Sequence, residues 1–170
     1  MIGEKLSGSL NDQINEEFQS AYLYLAMSAD CESQNLPGFA NWFKMQAEEE
    51  LRHGMRFFQF ILDREGKVAL QGVKAPPEEF GSLSALLEDA LNHERKVTRS
   101  IYDLYRLAEE EKDYAAYALL EEFATEQVEE EKSVTYILES LKRVGEEGTG
   151  LFLLDKELSA RGAAPGGAQA

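Results

Sequence analysis

Four long segments of this chain carry apolar residues at alternating spacings of three and four, the repeat of one helical face. The first stripe reads Leu10, Ile14, Glu17, Ala21, Tyr24, Ser28, Cys31 and the second Phe39, Phe43, Gln46, Glu50, His53, Phe57, Phe60. The third reads Leu83, Leu87, Ala90, Glu94, Val97, Ile101, Leu104 and the fourth Ala116, Leu120, Phe123, Gln127, Glu130, Val134, Ile137, Leu141. No convincing strand pair competes with this pattern, so an all-α fold is expected.

The breaks are local and readable. Helices are expected over about 4–33, 37–64, 82–112 and 114–144, with a short fifth over roughly 149–161. Pro37 suits a helix start, Glu65-Gly66 and Gly145 suit helix ends, and Asp113 suits an N-cap. Short links between the first and second helices, and between the third and fourth, make antiparallel pairs. The link GKVALQGVKAPPEEFG is ~16 residues long and can span at most ~55 Å, whereas a helix of ~28 residues is ~42 Å long. It can therefore run the length of the molecule and place the second and third helices parallel. A four-helix bundle with one long crossover and a short fifth C-terminal helix follows. One domain is expected over 1–162, with the small-residue stretch AAPGGAQA over 163–170 as a flexible tail.

Charge narrows the partners. Net charge is −15 and the pI near 4.5, which argues against nucleic-acid binding, because phosphate recognition needs a cationic footprint. Cations suit such a field. The single cysteine, Cys31, allows neither an intrachain disulfide nor a Cys-x-x-Cys metal knot, and is read as a small buried apolar residue. Neither a secretory h-region nor a membrane span is evident, and the cytoplasm is the expected compartment.

Each stripe is interrupted well inside its helix by an acid: Glu17, Glu50 with His53, Glu94, and Gln127 with Glu130. Four buried carboxylates repel one another strongly in a low-dielectric core. Either their pKa values are greatly raised or a cation gathers them, and the cation reading also accounts for His53. Residues three apart share a helix face, so Glu50 and His53 can offer oxygen and nitrogen to one ion, and Gln127 and Glu130 repeat that spacing. Four carboxylates balance two divalent ions, and oxygen with imidazole suits iron or manganese, with zinc a competitor.

On NEEFQSAYLYL, AEEELRHG, NHE, EQVEEEK and the closing LLDKEL, the sequence resembles the prokaryotic non-heme ferritins over nearly its whole length. The resemblance implies a ferroxidase centre in which Glu17, Glu50 and His53 hold one iron. Glu50, Glu94 and Glu130 hold the other, Glu50 bridges, and Gln127 lies beside the second iron. It implies oxidation of Fe(II) by oxygen or hydrogen peroxide and storage as a ferric mineral in a hollow homo-oligomeric shell of twenty-four subunits, and leaves open an electron donor for iron release. Tyr24 is either a core aromatic or a hydrogen bonder and electron source. Bacterioferritins usually carry a second Glu-x-x-His pair and a heme-ligating methionine after the first glutamate. Here helix four has Gln-x-x-Glu and Leu51 follows Glu50, so no heme is expected. A non-storing di-iron or di-manganese peroxide scavenger and a purely structural cation clamp are the competing readings.

Glu49 and Glu126 each precede a proposed ligand by one residue, and Glu129 shares the flank of Glu126. Their common offset suggests a third metal position shared with Glu130, as in similar prokaryotic ferritins. Glu131 and Glu48 point elsewhere and are read as solvated. His93 is read as a surface or cavity histidine, and Trp42 as a packing or interface residue.

Overall fold

The structure, a computed structural model, describes residues 2–160. It contains five helices among the described residues: α1 (Glu4–Ser33), α2 (Pro37–Asp63), α3 (Leu83–Glu110), α4 (Tyr114–Val144) and α5 (Gly148–Ser159). Boundaries differ from expectation by a residue or two at several ends, and residues 161 and 162 and the tail lie outside the described residues.

Local chemistry sets where the helices start and stop. The Ser82 hydroxyl accepts from the Ala85 N–H at 3.2 Å, and the Asp113 carboxylate accepts from the Ala116 N–H at 3.1 Å, satisfying donors that have no partner within their own helix. The first three helices all stop on a left-handed residue that is not glycine: Asn35 (φ 58°), Glu65 (φ 58°) and Lys112 (φ 55°). At the end of α2 the turn falls on Glu65, and Gly66 follows it with its N–H bonded to the Ile61 carbonyl. That is the reversal expected at a helix C-terminus, with the glycine one place later than the turn itself.

No side chain of its own N-cap residue caps α2. Asp155 of α5 does so from a distance, accepting from the N–H groups of Gly38 and Phe39 at 2.8 and 3.0 Å. The approach is close enough that a Cβ on Gly38 would lie 1.7 Å from the Asp155 carbonyl oxygen. Glycine at 38 is what lets α5 dock on the start of α2.

The crossover is tied along α1 by side-chain amides that pair with loop backbone. Asn11 donates to the Lys67 carbonyl and accepts from the Ala69 N–H, and Gln19 does the same with both backbone groups of Lys74. Sequence rises in the same direction on both partners, so the crossover runs parallel to α1. It ends at Phe80, which joins the core cluster that also holds Cys31, Phe39 and Leu83. Hence α2 and α3 begin at the same end of the bundle and run parallel, as expected from the linker length.

The apolar core is divided in two. One cluster holds Tyr24, Met27, Phe43, Leu87 and Ile137 with Leu154 and Leu158 of α5. The other holds Leu6, Leu10, Phe57, Ile101 and Phe123. Between them every long helix contributes buried polar groups: Gln13, Glu17 and Ser20; Gln46, Glu50 and His53; Glu94 and Thr98; Gln127 and Glu130. Each helix is thus apolar at both ends and polar in the middle, and the four middles coincide in one layer.

Candidate metal centre

Burial of this layer is nearly complete. Glu17 and Glu94 are 0% exposed and Glu50 1%. Glu17, Glu50 and His53 converge: each offers one donor atom, and these atoms lie within 4.8 Å of one another. His53 Nδ1 is 3.5 Å from Glu50 Oε2. Glu17 receives a hydrogen bond from the Gln13 amide at 2.8 Å on Oε1, and Gln13 is itself fixed by Ser100 at 2.6 Å. The remaining oxygens, Glu17 Oε2 and Glu50 Oε2, are buried without a hydrogen-bond partner. Buried carboxylate oxygens are costly to leave unsatisfied. Two such atoms beside an imidazole nitrogen form an oxygen-and-nitrogen donor set that fits Fe(II).

The other half of the layer is arranged differently. Tyr24 donates to Glu94 Oε1, and the Gln127 amide donates to Glu94 Oε2 at 3.1 Å. Gln46 donates to Glu130 Oε2 at 2.7 Å. Protein donors already hold these carboxylates. The exception is the Gln46 carbonyl oxygen, which is buried and unpartnered.

Electrostatics follow from the packing. Burial pushes the Glu17 carboxyl well above its ordinary value, and the charge of Glu50 adds to this. Burial raises Glu50 likewise, reinforced by Glu94 and Glu130. Glu94 is also raised by burial, against the opposing hydrogen bonds from Tyr24 and Gln127. Tyr24, wholly buried against these acids, is raised by burial and then by the Glu94 charge. Four helices therefore hold a site that disfavours negative charge unless positive charge joins it.

The flank separates from the layer. Glu126 is partly exposed; both its oxygens accept from Arg56 Nη1, at 3.1 and 2.9 Å, and Oε2 lies 3.7 Å from His53 Nε2. Glu129 is exposed, and Glu49 is half-buried with Arg52 3.9 Å away. One reading of a nearby residue needs correction. Glu131 is not simply solvated: its carboxylate accepts from the Thr98 hydroxyl at 2.6 Å and links α4 to α3. His93 is partly exposed, in keeping with a surface histidine, and is also held by its neighbours. Its Nε2 lies 2.7 Å from the Ser20 hydroxyl, its ring meets Tyr24 edge-on, and burial lowers its pKa to about 4. Trp42 is buried, packed edge-on against Phe43, which stacks on Tyr24. Cys31 is buried as expected, its thiol pushed up to about 12 by burial.

Sequence reasoning missed Gln13, Ser20 and Thr98, and gave Gln46 no role. A signal existed for the two glutamines, which stand four residues before Glu17 and Glu50 on the same helical face.

A four-helix bundle with one crossover, and a carboxylate-and-histidine layer drawn from all four helices, define a helical non-heme metal protein. The Ferritin family model, described as a ferritin-like domain, matches residues 8–144. The chain belongs to the ferritin family, among the prokaryotic non-heme ferritins. It is 40% identical to the bacterial non-heme ferritin of Staphylococcus aureus over 161 residues, 95% of this chain and 97% of that one. The Staphylococcus epidermidis protein of the same name is equally similar over the same shares. Among solved structures, an open-pore ferritin from the hyperthermophilic archaeon Archaeoglobus fulgidus superposes with a TM-score of 0.93 at 46% identity, covering 95% of this chain and 99% of that one. A form of the same ferritin engineered to be closed superposes at 0.92 and 46%, over 95% and 98%.

Proposed function

We propose that the chain is an iron-storing ferroxidase. The observation that carries this is the pair of buried, unpartnered carboxylate oxygens of Glu17 and Glu50 beside His53 in the middle of the bundle. Fe(II) is the substrate. One ion is held by Glu17, Glu50 and His53. A second is held by Glu50, Glu94 and Glu130, with Glu50 between the two and Gln127 orienting Glu94. Binding two divalent ions neutralises four carboxylates that otherwise repel, so the layer is complementary to the loaded state. Two Fe(II) release two electrons. These reduce one dioxygen with two protons to hydrogen peroxide, or one hydrogen peroxide with two protons to two waters. Tyr24 stands on Glu94, where it holds that carboxylate in place during oxidation.

Ferric product passes to the interior of a homo-oligomeric shell, of twenty-four subunits by analogy with the family, and accumulates there as ferric oxide-hydroxide. Glu49, Glu126 and Glu129, with Glu130, form a third position on the path between the pair and that interior. The acidic surface concentrates Fe(II), a reductant supplies electrons for release, and the cytoplasm is the compartment. Among the described residues no helix is long and apolar enough to cross a membrane.

Aerobic loading with Fe(II) tests this. Hundreds of iron atoms per subunit are expected, with the fast oxidation phase lost in Glu130→Ala while circular dichroism is unchanged. Retention of only about two or three iron atoms per subunit would overturn storage and leave a non-storing oxidoreductase.

A further inference from the structure

The guanidinium of Arg56 occupies ground that the third iron position needs. One nitrogen, Nη1, holds both oxygens of Glu126, while Nη2 holds Glu122 Oε2 at 2.5 Å. The group also lies 4.2 Å over the Phe123 ring, a favourable seat for a cation. Glu122 and Glu126 are one helical turn apart on α4, so Arg56 bridges them from α2. The Glu126 carboxylate it grips reaches to 3.7 Å from His53 Nε2, at the edge of the layer.

We infer that Arg56 is a displaceable countercharge that competes with Fe(II) for Glu126, so that it positions Glu126 and makes the third position weaker than the buried pair. This rests on the third position proposed above. A divalent ion taking Glu126 must draw an oxygen off Nη1 and bring two positive charges beside a third. Arg56 need not leave the protein when this happens, because Glu122 and the Phe123 face still hold it. Among the described residues no arginine or lysine pairs with Glu17 or Glu50, which meet the neutral amide of Gln13 and the imidazole of His53. The arrangement gives a ranked set of sites: a tight pair inside and an exchangeable place outside it, through which iron can pass onward.

Anaerobic calorimetric titration of the assembled protein with Zn(II), at physiological salt to screen long-range charge, separates the possibilities. In Arg56→Gln the weakest class of ions should tighten by up to about fivefold, the range that one partly exposed ion pair represents, while the tight classes stay unchanged. Glu126→Gln should abolish the weakest class, and Arg56→Gln added to it should change nothing more. If Glu126→Gln removes that class but Arg56→Gln leaves it unchanged or weaker, the competition is wrong and the third position stands. If Glu126→Gln leaves the class intact, Glu126 is no ligand and both ideas fall. Tightening of all classes together in Arg56→Gln would mark a general charge effect and also overturn the inference. Should Arg56→Gln fail to fold, Arg56→Lys carries the same test with a smaller change of the same sign, because a point charge cannot bridge both carboxylates as the guanidinium does.

Discussion

The two halves of the polar layer are made of similar residues in opposite states of readiness. Around Glu17, Glu50 and His53 two carboxylate oxygens are buried and unpartnered. Around Glu94, Gln127 and Glu130 the carboxylates already accept from Tyr24, Gln127 and Gln46. The first half needs added positive charge, a metal ion or protons, to offset its buried carboxylates. The second has a satisfied resting arrangement that an ion must replace or share. Affinity should therefore rank the halves, with the first ion entering where no protein donor has to move.

The largest effect expected from this difference is on the open half. His53→Ala should weaken the tightest class of Zn(II) by at least about 100-fold, roughly 2.7 kcal/mol, because it deletes the imidazole nitrogen of the Glu17, Glu50 and His53 group. Glu130→Ala should leave that first class intact and remove the second. Equal losses in both variants, read by calorimetric titration, would mean that the pair binds as one unit and that the ranking is wrong.

The held half should respond to its holders. Gln46→Leu strips the donor from Glu130 and leaves that carboxylate unsupported, so the second ion should bind about 10-fold more weakly, the lower end of losses typical for groups that orient a ligand. Tyr24→Phe acts on Glu94 in the same way. Its oxidation rate in stopped-flow absorbance should fall about 10-fold, while the first ion's affinity is unaffected. A loss of first-ion affinity in either variant would show that the two halves are mechanically linked through Glu50.

Much of this was legible in the sequence. The three-and-four stripes located the four long helices, and the acids that break those stripes are the ones that share the layer, because helical phase fixes which residues meet the core. Linker length gave the parallel pairing of α2 and α3. What the stripes could not reveal were contacts made across helices by residues of ambiguous preference. Gln13 and Gln46 read as tolerable polar residues near the core, although they are the donors that fix Glu17 and Glu130. Phase also placed His93 one step off the stripe, and its contacts with Ser20 and Tyr24 come from another helix. Glu131 likewise follows helical phase onto a flank, yet Thr98 reaches it from α3. The Asp155 cap on α2 joins residues 117 positions apart, and no local pattern encodes it.

The smallest effect tests whether the open half is strained when no metal is present. Glu17, Glu50 and Glu94 have pKa values raised above the ordinary 4.5 by burial, so between that value and their folded pKa values the native chain binds more protons than the unfolded one. Stability of the metal-free protein must then fall as pH rises above about 4.5 and level off once the folded carboxyls have ionised. His93 acts in the other direction. Its pKa is lowered from 6.5 to about 4, so the stability it contributes is present above 6.5 and lost as pH falls toward 4. Between about 4 and 6.5 the His93 trend opposes that of the carboxyls, and above 6.5 it no longer does. Thermal midpoints of chelator-treated protein should therefore decline over the pH range in which the folded carboxyls ionise, by about 2–4 °C for each kcal/mol lost in a chain of this size. Glu17→Gln should flatten the decline by removing one ionisable group from the open half, and added Zn(II) should abolish it. A metal-free midpoint that shows no decline at any pH above 4.5 in a His93→Phe background would mean that the carboxyls are comfortable as anions, and the case for a layer completed by cations would lose its electrostatic support.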